Sequence, residues 1–487
     1  MRRLLLLALL SGIWPPAAAQ VAVSAQMEEW YGKANKAAPG LWGVVVADQD
    51  GNVLWSVNAS EPMTPASTVK VLTTGFARSM VGPEARQPTR VVGVGAVDPI
   101  DGTWRGNWAL ELNGDPTFGR NDTDGVTFHD LAAQLRAIGV RKLSGPLQLT
   151  TLNGSARSSY PSVWPSRHRG RYYAPPVGPV TINENLVAFT VAPGESRGQP
   201  TVSWDDPVGS AALVTVEART VAGRTNRLTI RTRGNGWVVS GTIGQNAPAR
   251  RYTFVAHNPT AVVEAAWDAA LARAGIEWDR QSDVPGIDGP ARILAEVASP
   301  TFDEIAAEVN RRSVNIGAEL MLRWAGGVQG AAARLEQHVK EVTGLTSGIH
   351  LVDGSGLADA NKVSPLVFTR YLARFPRTPA GRDYPLLLPA NGTGTLRQLG
   401  SSEIESGVVR AKTGSINNTS TLIGYLGRPE GMLVVAAMYN GSATGQARQQ
   451  QWRLFRELGA DGVVIPPSEP MDGDLTLPLG GYESSTR

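Results

Sequence analysis

Two textures of apolar and polar positions divide this chain of 487 residues. Near the start, positions 26–36 have the spacing of a short helix that stops before Pro39-Gly40. Positions 41–47 and 53–57 read as strands joined by the Asp48-Gln49-Asp50-Gly51 turn, a hairpin. A helix comes next. Pro65 suits its first position, the run from Val69 to Met80 continues it, and Gly82-Pro83 stops it. From about Arg90 the pattern turns β-rich. Positions 91–94, 108–112 and 147–150 read as strands, interrupted by one helix over 127–138 with Thr127 as its N-cap. Short alternating segments then recur at 187–191, 212–216, 227–231 and 237–241, the pattern of a small all-β unit. An amphipathic helix over 258–274 leads out of it. From Ile293 helices return. Thr301-Phe302-Asp303-Glu304 is a capping box for one that runs to Arg311, a second covers 314–324, and a third 331–342. Strands follow at 408–413, 420–426 and 432–438, and a helix over 446–458 closes the pattern.

The α/β stretches before about residue 90 and after about 290 read as halves of one domain, residues 20–89 and 290–465. The β-rich region 90–289 is then an insert of two nested domains. Residues 466–487, rich in Pro, Gly, Ser and Asp, read as a flexible tail with no apolar face to lay on a membrane.

Composition narrows the function classes. Hydrophobic residues at 42% and charged residues at 18% exclude a disordered chain. A net charge of +3, with no basic cluster alternating with aromatics, argues against nucleic acid as a partner. Met1-Arg2-Arg3, the apolar run Leu4 to Leu10 and the small residues Ala17-Ala18-Ala19 make residues 1–19 a secretory signal peptide. That apolar run is too short to span a bilayer, so no transmembrane anchor is expected and the mature protein should be exported to the periplasm or cell envelope. There is no cysteine, which removes thiol nucleophiles, disulfides, lipoprotein anchoring and cysteine-based metal sites together. The five histidines, His129, His168, His257, His338 and His350, show no ligand spacing, so neither a cofactor nor a catalytic metal is expected.

The candidate chemistry lies in three short motifs. Ser67-Thr68-Val69-Lys70 places a hydroxyl and an amine at i and i+3 on one helical face. Serine is a poor nucleophile without a base, and a desolvated lysine can be neutral enough to be that base. Alone, Ser-x-x-Lys recurs by chance. Ser313-Val314-Asn315 falls at the junction of two predicted helices, where both side chains can enter a cleft. Lys412-Thr413-Gly414 ends a strand, and Gly414 is expected to let a ligand backbone come close. Together and in this order the three are the signature of class A β-lactamases and penicillin-binding proteins.

With these motifs the chain resembles the class C low-molecular-mass penicillin-binding proteins, the D-alanyl-D-alanine carboxypeptidase/endopeptidase group. Asn113-Gly114-Asp115-Pro116, Ile182-Asn183-Glu184-Asn185, Asp353-Gly354-Ser355-Gly356-Leu357 with Asn361 and Ser364, Gly394-Thr395-Leu396, and Ser415 after Gly414 add to the likeness. About half the chain separates Ser67 from Ser313, and this family carries nested domains in that gap. The resemblance implies an α/β (α+β) transpeptidase domain like that of the serine β-lactamases, with nested β-rich insert domains. It implies a hydrolase acting on peptidoglycan stem peptides through an acyl-enzyme, and acylated by β-lactam antibiotics. Ser67 would be the nucleophile and Lys70 its base. Ser313 and Lys412 would depress the Lys70 pKa and relay the proton. Asn315 would meet the substrate amide, Lys412 and Thr413 the terminal carboxylate, and the N–H groups of Ser67 and Ser415 the oxyanion. A β-lactamase is the second reading. The long gap argues against it, as does the lack of a Glu-x-x-x-Asn loop between the first two motifs. A non-catalytic cell-wall binding protein is the third.

Two departures from the family pattern stand out. Val314 is apolar where a polar residue is usual, and the loop Trp164 to Arg169 is basic where relatives often carry acidic residues. Asp115 reads as an Asx turn and Asp353 to Leu357 as a tight turn at the back of the cleft.

Overall fold

The computed structural model describes residues 16–120, 125–152, 154–195, 198–282, 289–399 and 404–467, with side chains from Val23 onward. The tail from residue 468 and the first 15 residues of the expected signal peptide lie outside the described residues. The first helix is longer than expected and spans Pro16–Ala37.

Five antiparallel strands form the main sheet in the order Val409–Ile416, Thr419–Leu426, Leu433–Asn440, Leu41–Asp48, Val53–Val57. Its middle strands are apolar on both faces, because successive side chains enter different cores. Val434, Ala436 and Met438 pack with the helices Val69–Val81, Phe302–Arg312, Asn315–Gly326 and Pro365–Arg374. Val435, Ala437 and Tyr439 pack with Pro16–Ala37 and the closing helix Thr444–Leu458. The sheet is thus the middle of three layers. Val409–Ile416 is its edge, and the edge lies beside the turn that carries Ser67.

A third core holds most of the apolar residues between Val91 and Val297. The chain leaves on Pro88–Val97 and returns on Arg292–Ala298, and these two strands pair antiparallel with Pro88 opposite Ala298. Trp104–Glu111 extends that sheet, and the helices Phe128–Ala137 and Pro259–Arg273 cover it. Two further sheets, Leu186–Ala192 with its neighbours and Asn226–Arg233 with Gly236–Gly244, share the same core.

Local signals hold well where they are strong. Thr127 and Thr301 cap their helices as capping boxes. The structure differs where the pattern is weak. Positions 212–216 divide between a 3-10 turn, Ser210–Leu213, and a short strand, Val214–Val216. Of positions 147–150 only Leu149–Thr150 is strand. The strands Thr201–Asp206 and Arg250–Val255 and the helix Pro365–Arg374 had no sequence expectation. The first two expose half of their residues, and their alternation is only one pair of apolar residues long, Val202 with Trp204 and Tyr252 with Phe254.

The helix Phe302–Arg312 delivers Ser313, so its start matters to the cleft. Thr301→Ala removes the hydroxyl that accepts from Glu304 N–H. It is expected to lower stability by about 1 kcal/mol, read as a lower urea midpoint at unchanged slope.

Candidate active site

Ser67 does not lie within a continuous helix. It sits in a 3-10 turn, Ala66–Thr68, which feeds the α-helix at Val69. Ala66 has φ of 49°, in the left-handed region. Thr68 and Thr421 both donate to the Pro65 carbonyl, at 2.6 and 2.9 Å, and tie the turn to the sheet. Two glycines let the backbone close around it. A Cβ on Gly356, itself at φ +79°, would lie 1.8 Å from the Ala66 carbonyl oxygen. One on Gly414 would lie 2.7 Å from the Pro65 carbonyl oxygen and 2.1 Å from Thr421 Oγ1. Gly414 therefore makes room for the chain's own nucleophile turn, where a ligand backbone was expected.

Lys70 has no exposed surface. Its Nζ lies 2.9 Å from Ser67 Oγ, and it donates to Asn315 Oδ1 at 2.6 Å and to the Ser355 carbonyl at 2.7 Å. A neutral amine has two N–H bonds and one lone pair. With Asn315 and Ser355 taking the two N–H groups, the lone pair faces the Ser67 hydroxyl. Burial brings the Lys70 pKa down to about 7, against the pull of the Asp353 and Glu319 carboxylates, which favour the cation. Desolvation and the neighbours Lys412 and Ser313 were put forward as causes of this depression, and burial is the one that lowers the pKa.

Lys412 is equally buried. Its Nζ donates to Ser313 Oγ at 2.9 Å and to the Thr413 carbonyl at 2.8 Å, and burial, then the Lys70 cation, hold its pKa well below the usual lysine range. Ser313 ends its helix in the left-handed region, φ 63° and ψ 43°, which turns its hydroxyl out toward the edge strand. The Asn315 amide is held on its other side, where Nδ2 donates to the Tyr173 carbonyl at 2.8 Å.

The structure thus gathers all the residues that the motifs put forward, in two tiers. Ser67, Ser313, Thr413 and Ser415 line a cavity of about 490 Å³, together with Arg397, Arg448 and Trp452. Ser67, Ser313, Asn315 and Ser415 line a second of about 440 Å³, walled by His168, Tyr172 and Tyr173. Lys70, Lys412 and Gly414 line neither and lie beneath.

Several contributors were missed from sequence. The Ser355 carbonyl is one, and it makes the Asp353 to Leu357 turn a direct part of the site. Asp353 builds that turn by accepting from Gly356 N–H, Ala358 N–H and Asn361 Nδ2. Glu319, one helical turn after Asn315, accepts from Gly354 and Ser355 N–H at 3.0 and 2.8 Å. Its buried carboxyl is pushed up by desolvation and then by Asp353. A lone acid in the apolar run of helix 315–326 was the available signal. Asp115 makes the expected Asx turn, accepting from Thr117 N–H at 2.8 Å. In the basic loop, Arg167 pairs with Asp359 at 2.5 Å, while Trp164 is buried.

The sequence model of the D-Ala-D-Ala carboxypeptidase 3 (S13) family matches residues 24–456. The chain belongs to that family. It is a serine peptidase of the D-Ala-D-Ala carboxypeptidase class, a hydrolase. It is 27% identical over 436 residues to the D-alanyl-D-alanine carboxypeptidase of an Actinomadura species, covering 82% of this chain and 77% of the relative. It is 27% identical over 416 residues to carboxypeptidase DacB of Mycolicibacterium smegmatis, covering 82% and 76%. Among solved structures, penicillin binding protein 4 of Haemophilus influenzae superimposes with a TM-score of 0.70 at 21% identity, over 88% of this chain and 98% of that one. The fold is therefore that of the penicillin-binding serine hydrolases. Among the described residues no helix is long and apolar enough to cross a membrane.

An amine with a pKa near 7 beside Ser67 is expected to make any labelling of that serine by benzylpenicillin pH-dependent. The rate should rise with pH through about 7 and level off above, as the amine loses its proton. Glu319→Gln keeps an oxygen for the Gly354 and Ser355 N–H groups but removes a charge that stabilises the ammonium. The rising limb should then move to lower pH; a limb that moves up or stays in place removes Glu319 from the electrostatics of Lys70.

Proposed function

We propose that this chain hydrolyses the D-alanyl-D-alanine ends of peptidoglycan stem peptides through an acyl-enzyme on Ser67, acting as a DD-carboxypeptidase and on cross-links as a DD-endopeptidase. The observation that carries this reading is the Lys70 amine, desolvated and committed through both N–H groups, with its lone pair on the Ser67 hydroxyl. Lys70 takes the Ser67 proton as Oγ attacks the carbonyl between the two D-alanines. The tetrahedral oxyanion receives the N–H groups of Ser67 and Ser415, the second from the edge of the sheet. Collapse breaks the C–N bond, and the leaving amine takes a proton passed through Ser313, which Lys412 orients. Water then attacks the ester, giving up its proton to the same base, and releases the shortened peptide with Ser67 free. Thr413 and Ser415 receive the terminal carboxylate, and Asn315 the substrate amide.

Penicillins present a lactam carbonyl and a carboxylate in the same relation, so they acylate Ser67 as well. In this reading residues 20–89 and 290–465 form the peptidase domain, residues 90–289 the inserted region, and the leader directs export to the cell envelope, where the substrate is.

Mass spectrometry after exposure to benzylpenicillin should show one adduct, on Ser67, and incubation with pentapeptide should release free D-alanine. Ser67→Ala should do neither. An unlabelled Ser67 in the parent chain sinks this reading, and an adduct that hydrolyses within seconds replaces it with a β-lactamase. Cross-linked muropeptides run in parallel read endopeptidase action as release of monomer.

A further inference from the structure

Lys412 is an unsuitable anchor for the terminal carboxylate. Its ammonium position has no exposed surface, is taken up by Ser313 Oγ and the Thr413 carbonyl, and lines neither cavity. The cavity that Thr413 opens onto does hold two cations, Arg448 on the closing helix and Arg397 after the Gly394–Leu396 turn. Among the described residues no acidic side chain lines it, and neither guanidinium makes an ion pair. This sets them apart from Arg312, which lines the second cavity and is neutralised by Glu184.

Arg448 donates to Ser415 Oγ. Thr413 and Ser415 are two apart on the edge strand, so their hydroxyls stand on one face, the face that lines this cavity. Trp452, one helical turn after Arg448, walls the same cavity, and its buried indole N–H has no hydrogen-bond partner. The set is therefore two guanidinium groups, two hydroxyls and an indole donor around a space beside Ser67. A guanidinium presents a planar pair of donors that matches a carboxylate, and stays charged where a buried amine does not.

We infer that Arg448, supported by Arg397, is the site for the free α-carboxylate of the residue that leaves on scission, and that it makes the enzyme select substrates in which this carboxylate is free over those in which it is amidated. This rests on the acylation of Ser67 proposed above. A neutral carboxamide could still meet the two hydroxyls, but would leave the guanidinium groups without a counter-charge.

The test compares two peptides that end in D-Ala-D-Ala, one with a free C-terminal carboxylate and one with a carboxamide, on the full chain. Arg448→Gln should lower kcat/KM for the carboxylate peptide by about ten- to a hundredfold, mainly through KM, and leave the amide peptide within about twofold. The parent's preference should weaken as salt is raised, and the variant's small remainder should not. Arg448→Lys should recover part of the preference, and Arg397→Gln should give a smaller loss of the same kind. Equal losses on both peptides would make Arg448 a structural support for Ser415 and overturn the inference, as would an unchanged preference. If the parent takes up no penicillin on Ser67 and releases no D-alanine, the acylation reading itself has failed and this inference falls with it.

Discussion

An amine kept out of water is the constraint around which the rest of this structure is arranged. Moving a lysine from water to a dry interior disfavours its cation, so burial alone converts Lys70 from a surface charge into a base that works near neutral pH. Burial alone would also leave two N–H groups unpaired, at a cost comparable with the gain. Asn315 Oδ1 and the Ser355 carbonyl remove that cost. Because the acceptors number two and not three, the third direction on nitrogen is left to the serine. The carboxyls of Glu319 and Asp353, placed just behind, keep the amine from being pushed so far down that it holds its proton too weakly to pass it on.

That arrangement requires stretches far apart in sequence to meet within a few ångströms. The edge strand supplies a straight backbone, and two glycines set how near its neighbours come. Gly414 admits the Pro65 carbonyl and Gly356 admits the Ala66 carbonyl, at distances where any side chain would collide. Ser313 supplies the third approach by ending its helix in a left-handed conformation that L-residues adopt at a cost. The fold holds it there: Lys412 meets its hydroxyl, and the capping N–H of the same residue closes on the Val309 carbonyl. Strain, close approach and desolvation thus concentrate on one small volume, while the three-layer scaffold around it follows ordinary packing rules.

What could be read from the sequence follows from which interactions are local. Ser67 and Lys70 share a face by helical geometry, Thr301 and Glu304 cap by spacing, and the last two strands betray themselves by being buried on both sides. Roles that depend on a backbone atom left no trace, since any residue at positions 173 or 355 offers the same carbonyl. Roles that depend on burial were equally hidden: the pattern puts Lys412 forward as a carboxylate ligand, and only its depth in the structure shows that it faces Ser313. Gly414 was marked as a close approach to a ligand backbone, and the structure puts the chain's own Pro65 carbonyl there. The edge strands Thr201–Asp206 and Arg250–Val255 were missed because each carries only one short alternating pair of apolar residues, Val202 with Trp204 and Tyr252 with Phe254, too brief a run to stand out.

The stretch between residues 90 and 289, proposed as an insert, meets the proposed base through one amide. Its segment 164–177 packs Trp164, Ala174 and Val177 on Ile316 and Leu320 of the helix that begins at Asn315, and on Leu357 and Ala358 after the Ser355 turn. That contact carries the Tyr173 carbonyl to Asn315 Nδ2. The consequence is directional. A side-chain amide has a donor end and an acceptor end, and with its donor end held by Tyr173 only the acceptor end can face Lys70. Turned over, Asn315 would point N–H groups at an amine that is itself a donor, the lone pair of Lys70 would be drawn away from Ser67, and the base would be lost with every residue of the three motifs still in place. In the proposed reading the state of the base therefore depends on a backbone carbonyl from outside all three motifs, one supplied by the stretch of chain between the strands Pro88–Val97 and Arg292–Ala298.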